Sequence, residues 1–409
     1  MTIRLATSAI YNSATTQISN LTTQLATTQN QLSTGKRVLT AADDPIASAR
    51  ALEVTQSQSM NAQFATNRTN AKSSLNLVDQ TLQDVTGQIQ DIQTLIVNAG
   101  NGSYTQSDRQ ALATELQGRL TDMIGLANTA DGTGGYLFSG YQSTTQPFNQ
   151  TPTGANYQGD QGQRTLQVGS SRKMSVTESG SAIFEAAATG NGSFQTAAAT
   201  ANTGSGIVAP GSVTDRSQLT GHNYAISFAV TGTPAATTYT VNDTTTSPPT
   251  AVLANQPYTS GASISFGGMA TSITGDPANG DSFTVQPSQK QSVFTTIQNL
   301  INTLKAPADG STGKAALANQ LAGASANMQN ALDNVLTVQA SVGARLKELD
   351  NLDSTGDDLN TQYTQTLSDL QDLDMVKAIS LFTQQQQTLQ AAQVSFKTMS
   401  GLSLFNYIT

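Results

Sequence analysis

Between Leu75 and Ile96 an apolar side chain returns every third and fourth residue without a break: Leu75, Val78, Leu82, Val85, Ile89, Ile92 and Ile96. A heptad series of this kind lays one narrow seam along an α-helix, and the seam has to be covered by another helix. Phe64 and Ala71 carry the same phase backwards. A second register runs through Leu317, Leu321, Ala324, Met328, Ala331, Val335, Val338, Val342, Leu349 and Leu352, then picks up Leu359, Tyr363, Leu370 and Leu373. At ~1.5 Å per residue, helices from Pro45 to Asn98 and from Gly313 to Leu373 span about 80 and about 90 Å. Two rods of similar length, one near each terminus, cover each other's seams if the chain runs out and comes back.

Other elements follow from the same reading. A first helix carries Tyr11, Ala14, Ile18, Leu21, Leu25, Thr28 and Leu32 along one edge. A third begins behind Thr105, with Asp108 completing a capping box, and presents Leu112, Leu116, Leu120, Met123 and Ala127 on one face until Gly132, Gly134 and Gly135 end it. A short helix with Val293, Ile297, Leu300 and Leu304 stops at Pro307. Residues 151–289 differ in texture, being rich in Gly, Thr, Ser and Pro. Short alternating runs there predict strands over 164–168, 173–177, 224–230, 237–241, 263–266 and 282–285, in one or two small sandwiches or barrels. The low-complexity stretch 186–206 reads as a flexible surface loop. The expected fold class is mainly α, with long paired N- and C-terminal helices and a β-rich inserted region. The expected division is residues 1–42 plus 374–409 as terminal helices, 43–150 plus 290–373 as a helical rod, and 151–289 as the β-rich part.

The helical pattern is punctuated once near the N-terminus, at LSTGKRVLTAADDPIASARAL, residues 32–52. Gly35 supplies a helix stop, and Asp44 caps a new helix whose first position is Pro45, where a missing N–H costs nothing. Lys36 to Ala42 are expected to form a solvated linker. The outermost segments are also nearly free of charge: none between Arg4 and Lys36, and only Lys397 after Lys377. Faces of Gln, Thr, Ser and Asn can be buried against neighbours without stripping water from ions. Thr and Ser are poor helix formers, so both ends are expected to be largely disordered in the free subunit and helical once assembled.

Composition closes other routes. The formal charge is −8 with 11% charged residues, which offers no basic face for nucleic acid or anionic membrane. No cysteine is present, which excludes disulfides, thiolate metal sites and cysteine nucleophiles. The start, MTIRLATSAIYNSATTQ, does not read as a cleaved secretory signal, so an extracellular destination implies export with an uncleaved N-terminus. His222 is the only histidine and sits in a turn entering a strand, a surface or strand-edge setting that does not suit a triad. The glycines at 132, 134, 135 and 140 lack the Lys-Ser/Thr of a phosphate loop. Asp350, Asp353, Asp357 and Asp358 lie within a continuing heptad phase and lack the terminal Glu of a calcium loop. No catalytic, cofactor-binding or metal-binding residue is expected. A structural subunit is the reading that remains; the competing class, an extracellular hydrolase or adhesin carried by the β-rich middle, has no constellation to support catalysis.

Three stretches, QLSTGKRVLTAADDPIASARAL at 31–52, GGYLFSGYQSTTQPF at 134–148 and LQAAQVSFKTMSGLSLFNYIT at 389–409, resemble the bacterial flagellin superfamily. The joint motif is general to that superfamily, whereas the second and third stretches are more similar to its hook–filament junction proteins than to flagellin, the runner-up. The resemblance implies that the terminal segments pair as an inner tube, that a helical rod domain surrounds it, and that the middle projects outward. It also implies passage through the flagellar type III export channel to an extracellular site, with an export chaperone. The implied partners are further copies of the chain, the junction protein FlgK and flagellin. Subunit contacts are expected at Ile18, Leu21, Leu25, Leu32, Leu389, Phe396, Leu402, Leu404 and Phe405, with the helix joint at Gly35, Asp44 and Pro45.

Overall fold

A computed structural model describes residues 2–401. The helices are α1 (Thr2–Thr34), α2 (Pro45–Ala99), α3 (Gln106–Ala127), α4 (Gly180–Phe184), α5 (Val293–Lys305), α6 (Gly310–Gln371) and α7 (Met375–Gly401). The strands are β1 (Phe148–Thr151), β2 (Gly154–Tyr157), β3 (Thr165–Gln167), β4 (Lys173–Ser175), β5 (Ala187–Ala188), β6 (Phe194–Ala198), β7 (Ile207–Val208), β8 (Ser212–Val213), β9 (Tyr224–Thr231), β10 (Ala236–Asp243), β11 (Thr250–Pro257), β12 (Ser263–Phe266), β13 (Met269–Thr274), β14 (Ser282–Pro287) and β15 (Lys290–Gln291). The chain forms two compact units, one from residues up to Thr66 and from Asn351 onward, the other from Asn67–Asp350.

In the Asn67–Asp350 unit the heptad side chains are the core. Leu75, Val78, Leu82, Val85 and Ile92 are wholly buried on α2, with Leu116, Leu120 and Met123 on α3, Ile297 and Ile301 on α5, and Met328, Val342 and Leu349 on α6. At ~25 cal/mol per Å² of apolar surface, each such side chain contributes about 1.5–3 kcal/mol, which fixes the register. Polar contacts follow an antiparallel alignment of α2 with α6: Lys72 to Asp350 (2.8 Å), Gln339 to Asp79 (3.1 Å) and Gln93 to Gln329 (3.2 Å). The expected capping box opens α3, Thr105 accepting from the Asp108 N–H while the Asp108 carboxylate accepts from the Thr105 N–H.

Phe148, Phe184 and Phe294 form an aromatic cluster with ring centroids 4.9–5.5 Å apart, and Phe138 packs edge-on to Phe184. Asn128 locks Phe148 in place, its amide donating to the Phe148 carbonyl and its oxygen accepting the Phe148 N–H, both at 2.8 Å. Gly154, at φ +128°, lies so close to the backbone of Phe294 and Thr295 that a Cβ would sit 2.7 Å from the Phe294 carbonyl carbon. Only glycine fits.

The β-rich part belongs to the same unit. One sheet runs β11-β10-β9-β14-β6 and a second runs β12-β13-β7, with β8 also on β13; both are open, so no barrel closes. Alternating residues such as Tyr224, Ile226 and Phe228 on β9, together with Ile264, Phe266, Ile273, Phe283 and Val285, fill one apolar core. The six expected strands are present as β3, β4, β9, β10, β12 and β14.

Residues 186–206 are not a flexible loop. Within them β6 pairs antiparallel with β14, and Phe194 is buried. Asn202 exchanges two hydrogen bonds with the Ser282 backbone (2.8 and 2.9 Å), and the buried Asp281 carboxylate accepts the Thr203 and Gly204 N–H groups at 2.8 and 3.0 Å. Backbone pairing, not side-chain hydrophobicity, orders this stretch, so its composition concealed it.

A run of asparagines on α6 holds the inserted region. Asn319 accepts the Val208 N–H (2.8 Å) and donates to Gly206 O (3.0 Å); Asn327 accepts the Gly190 N–H (2.8 Å). Asn330 donates to the carbonyls of Ala188 (2.7 Å) and Gly190 (2.8 Å), and Asn334 to those of Ala182 and Ile183 (both 2.9 Å). Their helical spacing puts all four on one face. Asn330→Asp, which replaces the donor by acceptors facing two carbonyls, is expected to destabilise this unit by about 1–3 kcal/mol. The check is the urea midpoint; an unchanged midpoint would mean that Asn330 does not anchor the inserted region.

Candidate functional site

The unit that includes α1 and α7 is built differently. Among its described residues the buried apolar ones are Val38, Ala47, Ala51 and Ala378, so no large side chain except Val38 is fully enclosed. α1 and α7 pack antiparallel: the Tyr11 and Phe396 rings lie 4.9 Å apart, and at the other end Leu373 donates its N–H to Gly35 O (2.9 Å). Along this pair Ile18, Leu21, Leu25 and Leu32 on α1 and Leu389 and Phe396 on α7 are half-buried. Leu402, Leu404 and Phe405 lie outside the described residues.

Among the described residues, Thr2–Thr34 and Met375–Gly401 are helical within the single chain, where composition led us to expect disorder. Packing is the cause: each helix covers the other's apolar edge. The threonine hydroxyls donate back to the carbonyl four residues earlier, as at Thr15 to Tyr11 O (2.9 Å), Thr22 to Ile18 O (2.8 Å) and Thr28 to Gln24 O (3.0 Å), which satisfies them within the helix without adding to its stability. Apolar side chains remain in water even so: Val376 is 80%, Val394 65% and Ile379 53% exposed on α7, and Ile46 and Leu52 are each 70% exposed on α2.

The helix joint sits at the base of this pair. Gly35 adopts φ +70° directly after α1, a conformation natural to glycine. Asp44 caps α2, its carboxylate accepting the Ala47 N–H at 3.0 Å, with Pro45 at the first helical position. Asp43 folds the connector, accepting from the N–H groups of Thr40 (2.7 Å) and Leu39 (3.1 Å). The Ala47 N–H, and after it Arg37, hold the Asp44 carboxyl below the usual carboxylate range; the Thr40 N–H does the same for Asp43. Asp374 is a second cap, which the sequence reading missed. It opens α7 by accepting the Lys377 N–H (3.1 Å), an interaction that lowers its pKa as well.

The linker is solvent-exposed except at Val38, as expected, but Lys36 and Arg37 are also tied to the end of α6. The Lys36 backbone forms an isolated antiparallel bridge with that of Asp372, the Lys36 ammonium donates to Gln371 Oε1 (3.2 Å), and Arg37 donates its N–H to Gln371 O (2.7 Å). The open carbonyls at the end of α6 need donors, and the connector brings them. At Gly356 the helix keeps its course, with the glycine carbonyl accepting from Asn61 Nδ2 (2.7 Å).

Residues with chemical potential elsewhere are tied into structure. His222 Nδ1 lies 2.5 Å from Asp243 Oδ2, and this contact is the main cause holding the Asp243 carboxyl below its ordinary value. Among the described residues no serine hydroxyl is hydrogen-bonded to the ring. No group of three or more His, Asp or Glu suited to a metal ion occurs among the described residues, and none of their helices is long and apolar enough to cross a membrane.

Comparison with known proteins agrees with this architecture. The family model of the bacterial flagellin N-terminal helical region matches residues 5–143, and that of the D2-like domain of flagellar hook-associated protein 1 matches residues 197–287. Flagellar hook-associated protein 3 of Escherichia coli K12 is 30% identical over 404 residues, 98% of this chain and 99% of the relative, and its Salmonella typhimurium counterpart gives the same figures. The crystal structure of hook-associated protein 3 from Legionella pneumophila aligns with TM-score 0.74 and 32% identity, over 78% of this chain and 98% of that one. Xanthomonas campestris FlgL aligns with TM-score 0.70 and 31% identity, over 77% and 99%. Paired heptad helices bracketing a β-rich insertion, with the matches to flagellar proteins, define a flagellin-like structural protein of the bacterial flagellum. Within that class, the chain belongs to the flagellar hook-associated protein 3 (FlgL) family.

Proposed function

We propose that this chain forms the junction between hook and filament and adapts one to the other mechanically, without catalysis. In this reading the terminal segments, 1–42 with 374–409, complete an inner layer with further copies of the chain through Ile18, Leu21, Leu25, Leu32, Leu389, Phe396, Leu402, Leu404 and Phe405. Residues 43–150 with 290–373 are the rod, and 151–289 form the outer part. FlgK is the neighbour on the hook side and flagellin on the filament side. The subunit reaches its extracellular place through the flagellar export channel, aided by a chaperone.

The observation that carries the reading is the contrast between the units. The heptad seams of the Asn67–Asp350 unit are buried within the chain, whereas those of α1 and α7 are only half-covered and almost uncharged. Half-covered apolar seams with uncharged flanks are completed by neighbouring subunits at small desolvation cost. A strain lacking the gene is expected to carry intact hooks and to shed flagellin into the medium, both restored by the full chain; filaments of normal length on the deletion strain would overturn the proposal. Against the flagellin alternative, the purified chain should not grow long filaments from its own seeds.

A further inference from the structure

Two chain reversals meet at the base of the α1–α7 pair: residues 35–44, between α1 and α2, and residues 372–374, between α6 and α7. One side chain there touches two helix ends at once, the last turn of α6 and the cap of α2. The Arg37 guanidinium donates to Leu370 O (2.9 Å), a carbonyl in the last turn of α6, while its other arm meets the Asp44 carboxylate (3.2 Å) that caps α2. Its own N–H donates to Gln371 O, and its neighbour Gly35, just past the end of α1, accepts the Leu373 N–H. The charges suit their places: a cation at the C-terminus of α6 and an anion at the N-terminus of α2, each opposing the partial charge of the helix end. Arg37 is 47% and Asp44 31% exposed, so water screens the ion pair and the bonds to the α6 carbonyls give Arg37 its hold.

We infer that Arg37 is a pin joining the two reversals into one hinge, so that α1 and α7 hold or release together. Without the pin, backbone bonds and Lys36 still tie the connector after α1 to the end of α6 and the turn before α7, but among the described residues nothing links that junction to the cap of α2. With it, opening one reversal uncaps α6 and disturbs the other. Lysine is a poorer fit here, because its compact ammonium lacks the planar fork whose two separate arms reach the Leu370 carbonyl and the Asp44 carboxylate.

The test is hydrogen exchange with mass spectrometry on the full-length purified chain, comparing wild type, Arg37→Ala and Arg37→Lys. Arg37→Ala is expected to speed exchange about tenfold at both helix starts together, Ala47 and Ser48 on α2 and Lys377 and Ala378 on α7. Arg37→Lys should give a smaller change at the same two places. Peptides spanning Leu75–Ile96 report whether the variant is folded and should not change. Faster exchange confined to the α2 start would overturn the coupling, and unchanged exchange at both would remove the pin altogether. The isolated chain is measured, so the outcome does not depend on the junction reading. A second arm, complementation of the deletion strain with Arg37→Ala, rests on that reading and is expected to lower the fraction of hooks bearing filaments.

Discussion

A chain ended after Leu373 is expected to fold its helical and β core and yet to support no filament. The truncation removes α7, and with it the cover over Ile18, Leu21, Leu25 and Leu32 on α1. Left alone, α1 is a 33-residue helix rich in threonine, each of which is less favourable in a helix than alanine by up to about 0.7 kcal/mol, with no charged pair to compensate. It should therefore melt in the truncated chain. The Asn67–Asp350 unit draws its core from α2, α3, α5, α6 and the sheets, none of which is touched. Circular dichroism should show a main thermal transition close to that of the full chain, with helical signal reduced by more than α7 alone contributes. Electron microscopy of the complemented deletion strain should show bare hooks. Filaments on those hooks would sink the idea that the paired terminal helices carry assembly.

The largest single-residue effect is expected at Phe148. Its side chain is wholly buried, its ring meets those of Phe184, Phe294 and Tyr157 at 4.9–5.4 Å, and its backbone is clamped by Asn128. Truncation to alanine removes the ring's transfer free energy and leaves a cavity that clamped neighbours cannot collapse into, a cost of about 3–5 kcal/mol. The urea midpoint of the Asn67–Asp350 unit should fall accordingly. Val394→Ala, at a side chain 65% exposed in the single chain, should leave that midpoint within about 0.5 kcal/mol. A small effect at Phe148 would mean that the aromatic cluster is not what fastens the strands beside α5.

Much of this molecule is legible in its sequence because its helices are long and strictly periodic. The register through Leu75 and Ile96 names its own buried residues, and α2 and α6 begin and end within a few residues of the expected bounds. The caps at Asp44 and Thr105 are equally local, since a carboxylate or hydroxyl bonds an N–H three residues away whatever the rest of the chain does. Other features escaped for the opposite reason. Asn319, Asn327, Asn330 and Asn334 look like ordinary solvated positions on a helix, and become anchors only because segments from more than one hundred residues away bring their backbone groups alongside. Nothing in the composition of residues 186–206 announces a strand whose partner is β14.

The sequence by itself determined which faces are apolar and where the helices break, because periodicity and capping are properties of neighbours along the chain. Tertiary structure decided what each polar group is for. Arg37 is the clearest case: in the sequence it is a charged residue in a linker, and in the fold it closes the end of a helix 333 residues away. Hydrogen-bond donors and acceptors carry no record of their partners, and unlike apolar side chains they can be satisfied by water until the fold supplies something better.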